Sequence, residues 1–247
     1  MSGASPLCWG IYRELAHSPG RETDDAEILR AAARELERLG LSVELKSPDE
    51  LPEAGDFEAV PPNLFVMCER AAVVEKLAAW ERRGARIVNA PAAIRNTDRE
   101  RTIALFQKHG VAHPTSVSVA TATGRAEFPG PCWLKRGDVH ATEAGDVCFN
   151  GDAAALDASL ARFAARGIAR AVVQDHVPGD LIKFYGVAGV GENEGRPSWF
   201  KWFYHRDQRL SNYPFDPEVL ADATTRAAAA LGLAVYGGDA IASESGA

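Results

Sequence analysis

Long hydrophobic runs are missing from this 247-residue sequence. No stretch approaches the ~18 apolar residues that a membrane-spanning helix requires, and the N-terminal MSGASPLCWG lacks the basic and apolar regions of a secretory leader. A cytoplasmic protein without a membrane partner is expected. Cysteine is scarce. Cys8, Cys68, Cys132 and Cys148 form no C-x-x-C pair and lie in apolar, strand-like contexts, which reads as small buried side chains rather than a zinc centre or a disulfide framework. An excess of positive charge is lacking too. The formal net charge of -7 argues against a nucleic-acid partner, while leaving room for a local basic pocket. No G-x-x-x-x-G-K-S/T occurs, and no G-x-G-x-x-G follows a strand, so P-loop and Rossmann readings have no support. Of the six histidines only His109 and His113 have H-x-x-x-H spacing, and Gly110 between them breaks the helix that such a pair of metal ligands would share. There is no internal repeat.

What is present is a chain with 46% hydrophobic residues, long enough to bury a full core as one large domain or two small ones. The first part alternates strand and helix. PLCWGIYR reads as a strand, and Thr23 or Asp24 caps a helix with Ile28, Ala32, Leu36 and Leu39 inward. Leu41 to Leu45, Leu64 to Cys68 and Ala85 to Asn89 read as strands, with a helix over Ala71 to Arg83 that turns Val73, Leu77 and Trp80 inward. This order predicts a small parallel α/β sheet ending near Arg95.

The second part opens at Thr97 and Glu100, which have capping-box spacing, on a helix carrying Ile103, Leu105 and Phe106 and closed by Gly110. An extended stretch through Val119 follows, then a strand-loop-strand unit, PCWLKRGDVHATEAGDVCFN. Asp152 caps a helix with Leu156, Leu160 and Phe163 inward. Next come strand residues Ala171 to Val173, a polar hinge, and a hairpin over Leu181 to Gly189 and Trp199 to Tyr204. Asp216-Pro217 starts a helix with Val219, Leu220, Ala223, Ala227 and Leu231 inward. LAVYGGDAIA is a last strand.

The features that carry chemistry are separated charges. Lys135 ends the strand CWL just before RGDVHATEAGD, so its ammonium projects over a loop whose backbone N–H groups suit a triphosphate; a surface lysine at a strand end is the alternative. His140 lies in that loop. Gln174, Asp175, His176, Asp180 and Lys183 surround the hinge, whose backbone groups suit the edge of a base. Asp239 follows two glycines that permit close approach of another group. It is a candidate oxygen ligand for Mg2+, or else a solvated strand carboxylate. No Ser or Cys has a base partner that the sequence reveals, so no residue is assigned as catalytic.

In this order the segments TDRERTIALFQKHGVAHPT, PCWLKRGD, VVQDHVPGDLIKFYGV and LGLAVYGGDAIA resemble the ATP-grasp superfamily. The similarity is greatest to its ribosomal-protein glutamate ligase and D-alanine-D-alanine ligase branches, with inositol trisphosphate kinases as cousins. The resemblance spans essentially the whole chain. It implies an α/β (α+β) class: a pre-ATP-grasp α/β domain over 1–95 and an ATP-grasp domain over 96–247, with a central lobe of about 96–173 and a C-terminal lobe of about 174–247.

The resemblance also implies roles. Arg99 stands where the family has a Lys and faces phosphate; Lys135 meets the phosphates; Gln174, Asp175, His176 and Val177 form the adenine hinge, largely through main chain. Asp180 is placed for the ribose and Lys183 for phosphate or substrate, and Asp239 matches the first metal carboxylate. The cofactors implied are ATP and Mg2+. The activity implied is ATP-dependent carboxylate-amine ligation through an acyl phosphate, on small-molecule or peptide substrates, with a homodimer left open. Lys201, Tyr204, Arg206, Arg209 and Asn212 are candidate substrate contacts, and of Lys201 and Trp202 only one faces the cleft. The family pattern continues into a strand bearing D-x-N or E-x-N, whereas this sequence ends at SESGA and Glu244 has no D-x-N after it. The last lobe is therefore expected to be incomplete, as in a truncated form or one that has lost its metal site. Two other readings stay open, a non-catalytic nucleotide-binding module and a small-molecule kinase of the same fold.

Overall fold

The computed structural model describes residues 5–123, 128, 130–137, 143–191, 195–244 and 246. The chain forms two compact units, Met1–Arg95 and Asn96–Ala247. Among the described residues no helix is long and apolar enough to cross a membrane.

In the first unit, strands β1 (Leu7–Ile11), β2 (Ser42–Lys46), β3 (Asn63–Val66) and β4 (Arg86–Val88) make a parallel sheet in the order β2-β1-β3-β4. Helix α1 (Glu22–Arg38) joins β1 to β2, and α2 (Ala71–Arg82) joins β3 to β4. Val73, Leu77 and Trp80 of α2 are buried with Trp9, Ile11 and Leu64. The expected face of α1 is one residue out of phase: Leu29 and Ala33 are buried, whereas Ile28 is 53% exposed and Leu39 77%. Ile28 and Leu29 begin two alternative apolar stripes, and only packing on the sheet chooses between them. The expected cap also differs. Helix α1 starts after Arg21 without a side-chain cap, and Asp24 pairs with Arg21 at 2.7 Å.

At the carboxyl ends of β1 and β2, where open α/β sheets take ligands, a cavity of about 480 Å3 is lined by Tyr12, Arg13, Asp25, Asp49 and Arg70, among others. Glu14 closes the adjoining end of β3, accepting the N–H groups of Glu69 and Arg70 at 3.0 and 3.1 Å.

The second unit carries two antiparallel sheets. Strands β5 (Ser116–Ala120), β6 (Cys132–Arg136), β7 (Val147–Asn150) and β8 (Arg170–Asp175) are ordered β5-β8-β6-β7. Helix α3 (Pro91–Asn96) ends the first unit's stretch of sequence, α4 (Arg99–His109) precedes the strands of the second, and α5 (Ala153–Ala165) covers one face, burying Leu156, Leu160 and Phe163 against Cys132, Leu134 and Val173. Asp152 caps α5 through the N–H of Ala155 at 2.8 Å. Glu100 does not complete a capping box; it reaches Arg170 at 2.8 Å.

The second sheet contains β9 (Asp180–Ala188), β10 (Pro197–Tyr204) and β11 (Val235–Ala242) in the order β10-β9-β11. Helix α6 (Pro217–Leu231) begins at the Asp216 cap and ends at Gly232, whose φ of 77° suits glycine. It buries Leu220, Thr224, Ala228 and Leu231, again one residue out of phase with part of the expected stripe, since Val219 is 55% exposed. The strands either side of the hinge therefore belong to different sheets, and residues 176–179 are the link between them.

Candidate nucleotide site

Antiparallel pairing puts directly opposed residues on one face. Trp133 lies between Phe149 and Gln174, Gln174 faces Ser116, and Lys135 lies between Val147 and Val172. This is the face away from the α5 core. Lys135 Nζ donates to Gln174 Oε1 at 2.6 Å, Gln174 Nε2 to Ser116 Oγ at 3.0 Å, and Ser116 Oγ to the Pro114 carbonyl at 2.8 Å. The series has one direction, because the serine hydroxyl gives its proton to a carbonyl and so must accept from the amide. Burial holds the Lys135 pKa below its ordinary range, with Arg99 acting in the same direction and Asp239 opposing. Arg99 also donates to the Arg136 carbonyl at 2.8 Å. His140 lies outside the described residues.

The hinge differs from the expectation in which groups are free. The Asp175 N–H is bound by the Thr115 carbonyl at 2.8 Å and the His176 N–H by the Pro131 carbonyl at 3.1 Å. Gln174 acts through its side chain, inside β8. Of Gln174 to Val177, Val177 is the residue with neither main-chain group hydrogen-bonded among the described residues. The His176 ring accepts from Trp133 Nε1 at 3.2 Å and lies edge-on to Phe149, their centroids 5.1 Å apart; Trp133 and Phe149 are 5.2 Å apart. Phe149 is half exposed. This aromatic group beside Lys135 offers a π surface of the kind on which bases stack. Trp133 and Phe149 were missed in the sequence, although Trp133, two residues before Lys135 on a strand, shares its face.

Asp180 is a correction. It is 1% exposed, and its two oxygens accept the N–H groups of Ser211 and Tyr213 at 2.6 and 3.1 Å. A ribose cannot reach it; the carboxylate ties residues 211–213 to the start of β9. Asn212, between the two donors, has φ of 59°, a region that Asn tolerates better than most residues. Gln208 makes a second tie, accepting the Leu181 N–H at 2.7 Å and donating to the Leu181 carbonyl at 2.6 Å. Arg206, Arg209 and Asn212 are thus exposed on an anchored loop.

On the second sheet, Lys183 pairs with Asp239 across β9 and β11, and Nζ meets Oδ1 at 2.6 Å. Lys201 and Phe203 of β10 share that face. Trp202 and Tyr204 lie on the other one, packed with Phe215 and Leu220. Lys201 rather than Trp202 therefore points to the open side, and Tyr204, a candidate substrate contact, is a packing residue. The two glycines before Asp239 are each covered by a ring: a Cβ at Gly237 would come within 2.8 Å of Tyr185, and one at Gly238 within 2.8 Å of Phe184.

Among the described residues no three His, Cys, Asp or Glu side chains gather as a metal cage. Asp239, 56% exposed and held through one oxygen, fits a Mg2+ that arrives with phosphate ligands, the usual mode for this ion. It does not fit one held by protein alone. Titration of Mg2+ without nucleotide is accordingly expected to give no saturable heat, and a tight Mg2+ isotherm in that experiment would refute this assignment.

No family model matches the sequence, and no curated protein does. Solved structures do match. The RimK domain protein ATP-grasp from Sphaerobacter thermophilus aligns at a TM-score of 0.69 with 18% identity, over 98% of this chain and 88% of that one. D-alanyl-alanine synthetase A from Vibrio cholerae aligns at 0.70 with 9% identity, over 100% and 87%. The ATP-grasp ligase PsnB, complexed with minimal precursor, Mg and ADP, aligns at 0.62 with 17% identity, over 98% and 86%. At these identities the likeness is one of fold.

Proposed function

We propose that this chain, whose fold is that of the ATP-grasp ligases, binds Mg-ATP in its second unit and uses it to join a carboxylate to an amine. The observation that carries the reading is electrostatic. Lys135 on the first antiparallel sheet is influenced by both Arg99 and Asp239, and Asp239 is paired with Lys183 on the second sheet. Cations and a metal-compatible carboxylate from two sheets thus share one neighbourhood. In this reading the base lies against Trp133 and Phe149 with its edge at Val177, and Lys135, Lys183 and Arg99 meet the phosphates. The residues over 1–95 form the pre-ATP-grasp domain, and the lobes of the second meet at 176–179.

Asp239 would hold Mg2+, which when bound neutralises phosphate charge. The chain's own contribution is positioning and charge. A substrate carboxylate oxygen attacks the γ-phosphorus, the bond from phosphorus to the β,γ-bridging oxygen breaks, and ADP leaves. The amine nitrogen then attacks the acyl carbon, loses a proton and expels inorganic phosphate. D-alanine ligases and the PsnB complex with a precursor peptide support small-molecule and peptide carboxylates alike as the class.

Nucleotide binding without turnover is a second reading, favoured by the engagement of Asp239 with Lys183. The two separate in one experiment. Mg-ATP is titrated by calorimetry, and ADP release is followed with a panel of carboxylates in hydroxylamine, which converts an acyl phosphate to a hydroxamate. Saturable binding with hydroxamate formation is expected. Binding without ADP release or hydroxamate favours the second reading, and no binding removes both.

A further inference from the structure

The open face of the β10-β9-β11 sheet changes character along its length. At the hinge end stands the Lys183–Asp239 pair. Two residues further along β9, about 7 Å at the strand repeat, Tyr185 stands opposite Lys201 and Gly237, and beyond it Val187 stands opposite Trp199 and Val235. Tyr185 is 41% exposed, Phe203 46%, Trp199 48% and Val235 50%. Tyr185 and Phe203 are stacked, with centroids 6.0 Å apart at 25°. An apolar, largely aromatic surface of this kind left open to solvent marks a binding face.

One cation stands in it. Lys201 lies between Trp199 and Phe203 on β10 and, unlike Lys183, makes no ion pair or hydrogen bond among the described residues. The described part of this face holds a single carboxylate, Asp239, and that one is engaged. Lys183 and Lys201 are diagonal neighbours across β9 and β10, close enough for two flexible ammonium groups to meet the same anion.

Resting on the reading of Lys183 and Asp239 as the phosphate end, we propose that the carboxylate substrate is amphipathic. Its carboxylate is drawn to Lys201, at the border with the phosphate end, and its body is an apolar or aromatic group lying across Tyr185, Trp199 and Phe203. A polar or diacidic body would set uncompensated charge over rings and lose their contact area.

The test uses 4-phenylbutyrate and glutarate as probes, titrated by calorimetry into the full chain with and without Mg2+ and the non-hydrolysable nucleotide AMP-PNP. Phenylbutyrate is expected to bind about tenfold more tightly than glutarate, a difference of about 1.4 kcal/mol. Lys201→Ala and Trp199→Ala should each remove most of that preference while nucleotide affinity stays within about twofold. Both residues are exposed, so the variants are expected to fold, which circular dichroism checks. Glutarate binding as well as phenylbutyrate, phenylbutyrate binding untouched by both variants, or no probe binding in either condition overturns the proposal. Loss of AMP-PNP binding alone sinks the ATP site and not this one, since dependence of the probe on Lys201 and Trp199 is read without nucleotide as well.

Discussion

Lys135→Met is expected to weaken Mg-ATP binding by one to two orders of magnitude and to leave the protein at least as heat-stable as the parent. The loss follows from removing a charge-assisted contact worth about 1.5–3 kcal/mol. The stability follows from the pKa. Burial, then Arg99, lowers the Lys135 pKa below the ordinary value of a lysine. Between the lowered folded value and the unfolded one, the unfolded chain binds more protons, so stability rises with pH through that window. Below the window the ammonium's unfavourable contribution is present in full. Methionine keeps the apolar stem without the charge, and water can meet the half-buried Gln174 carbonyl that loses its donor.

The same linkage makes nucleotide binding proton-coupled. A triphosphate beside Lys135 favours its charged form, so at pH values above the lowered pKa binding takes up a proton. This appears as a difference in calorimetric heat between buffers of unlike ionisation enthalpy. Gln174→Glu places a carboxylate where an amide now accepts from Lys135, raises the pKa, and is expected to shrink the uptake. Unchanged ATP affinity in Lys135→Met, or equal uptake in parent and Gln174→Glu, would contradict the placement of phosphate at this lysine.

Asp180→Ala should be the most damaging substitution for folding among the charged groups first read as nucleotide contacts. It strands two backbone donors against a site that is 1% exposed, at about 1–3 kcal/mol each. With roughly 2–4 °C per kcal/mol for a chain of this size, thermal unfolding is expected to fall by about 4–24 °C. Because the anchor holds residues 211–213, limited proteolysis should show new cleavage between Tyr204 and Phe215 before global unfolding. A melting temperature within about 2 °C of the parent with an unchanged digestion pattern would show that Gln208 anchors the loop alone.

Much of this architecture is legible from local pattern. The strand-helix alternation before Arg95, the Asp152 and Asp216 caps, and the inward sets on α2 and α5 follow from periodicity and turn chemistry confined to a few residues. What is not legible depends on partners far away in sequence. The phase of α1 depends on which of two stripes the sheet covers, and Tyr204 could be assigned to the wrong face because its neighbour Phe215 lies in the connection that follows β10. Asp180 looked available because the N–H groups it accepts come from residues 31 and 33 positions later. Ser116 and Gln174 pair only through strand register. Short-range reading finds the charges and leaves open what each is tied to.

The glycine pair before Asp239 has a mechanical consequence. Tyr185 presses on Gly237 from one face of the sheet and Phe184 on Gly238 from the other, so β11 fits β9 in a single setting, like a key with two adjacent notches cut on opposite sides. Sliding it by one position would set Phe184 against the Asp239 side chain in one direction, or Tyr185 against the Tyr236 side chain in the other. The carboxylate that follows the notches is therefore indexed by shape before any charge acts on it, and its location does not depend on salt.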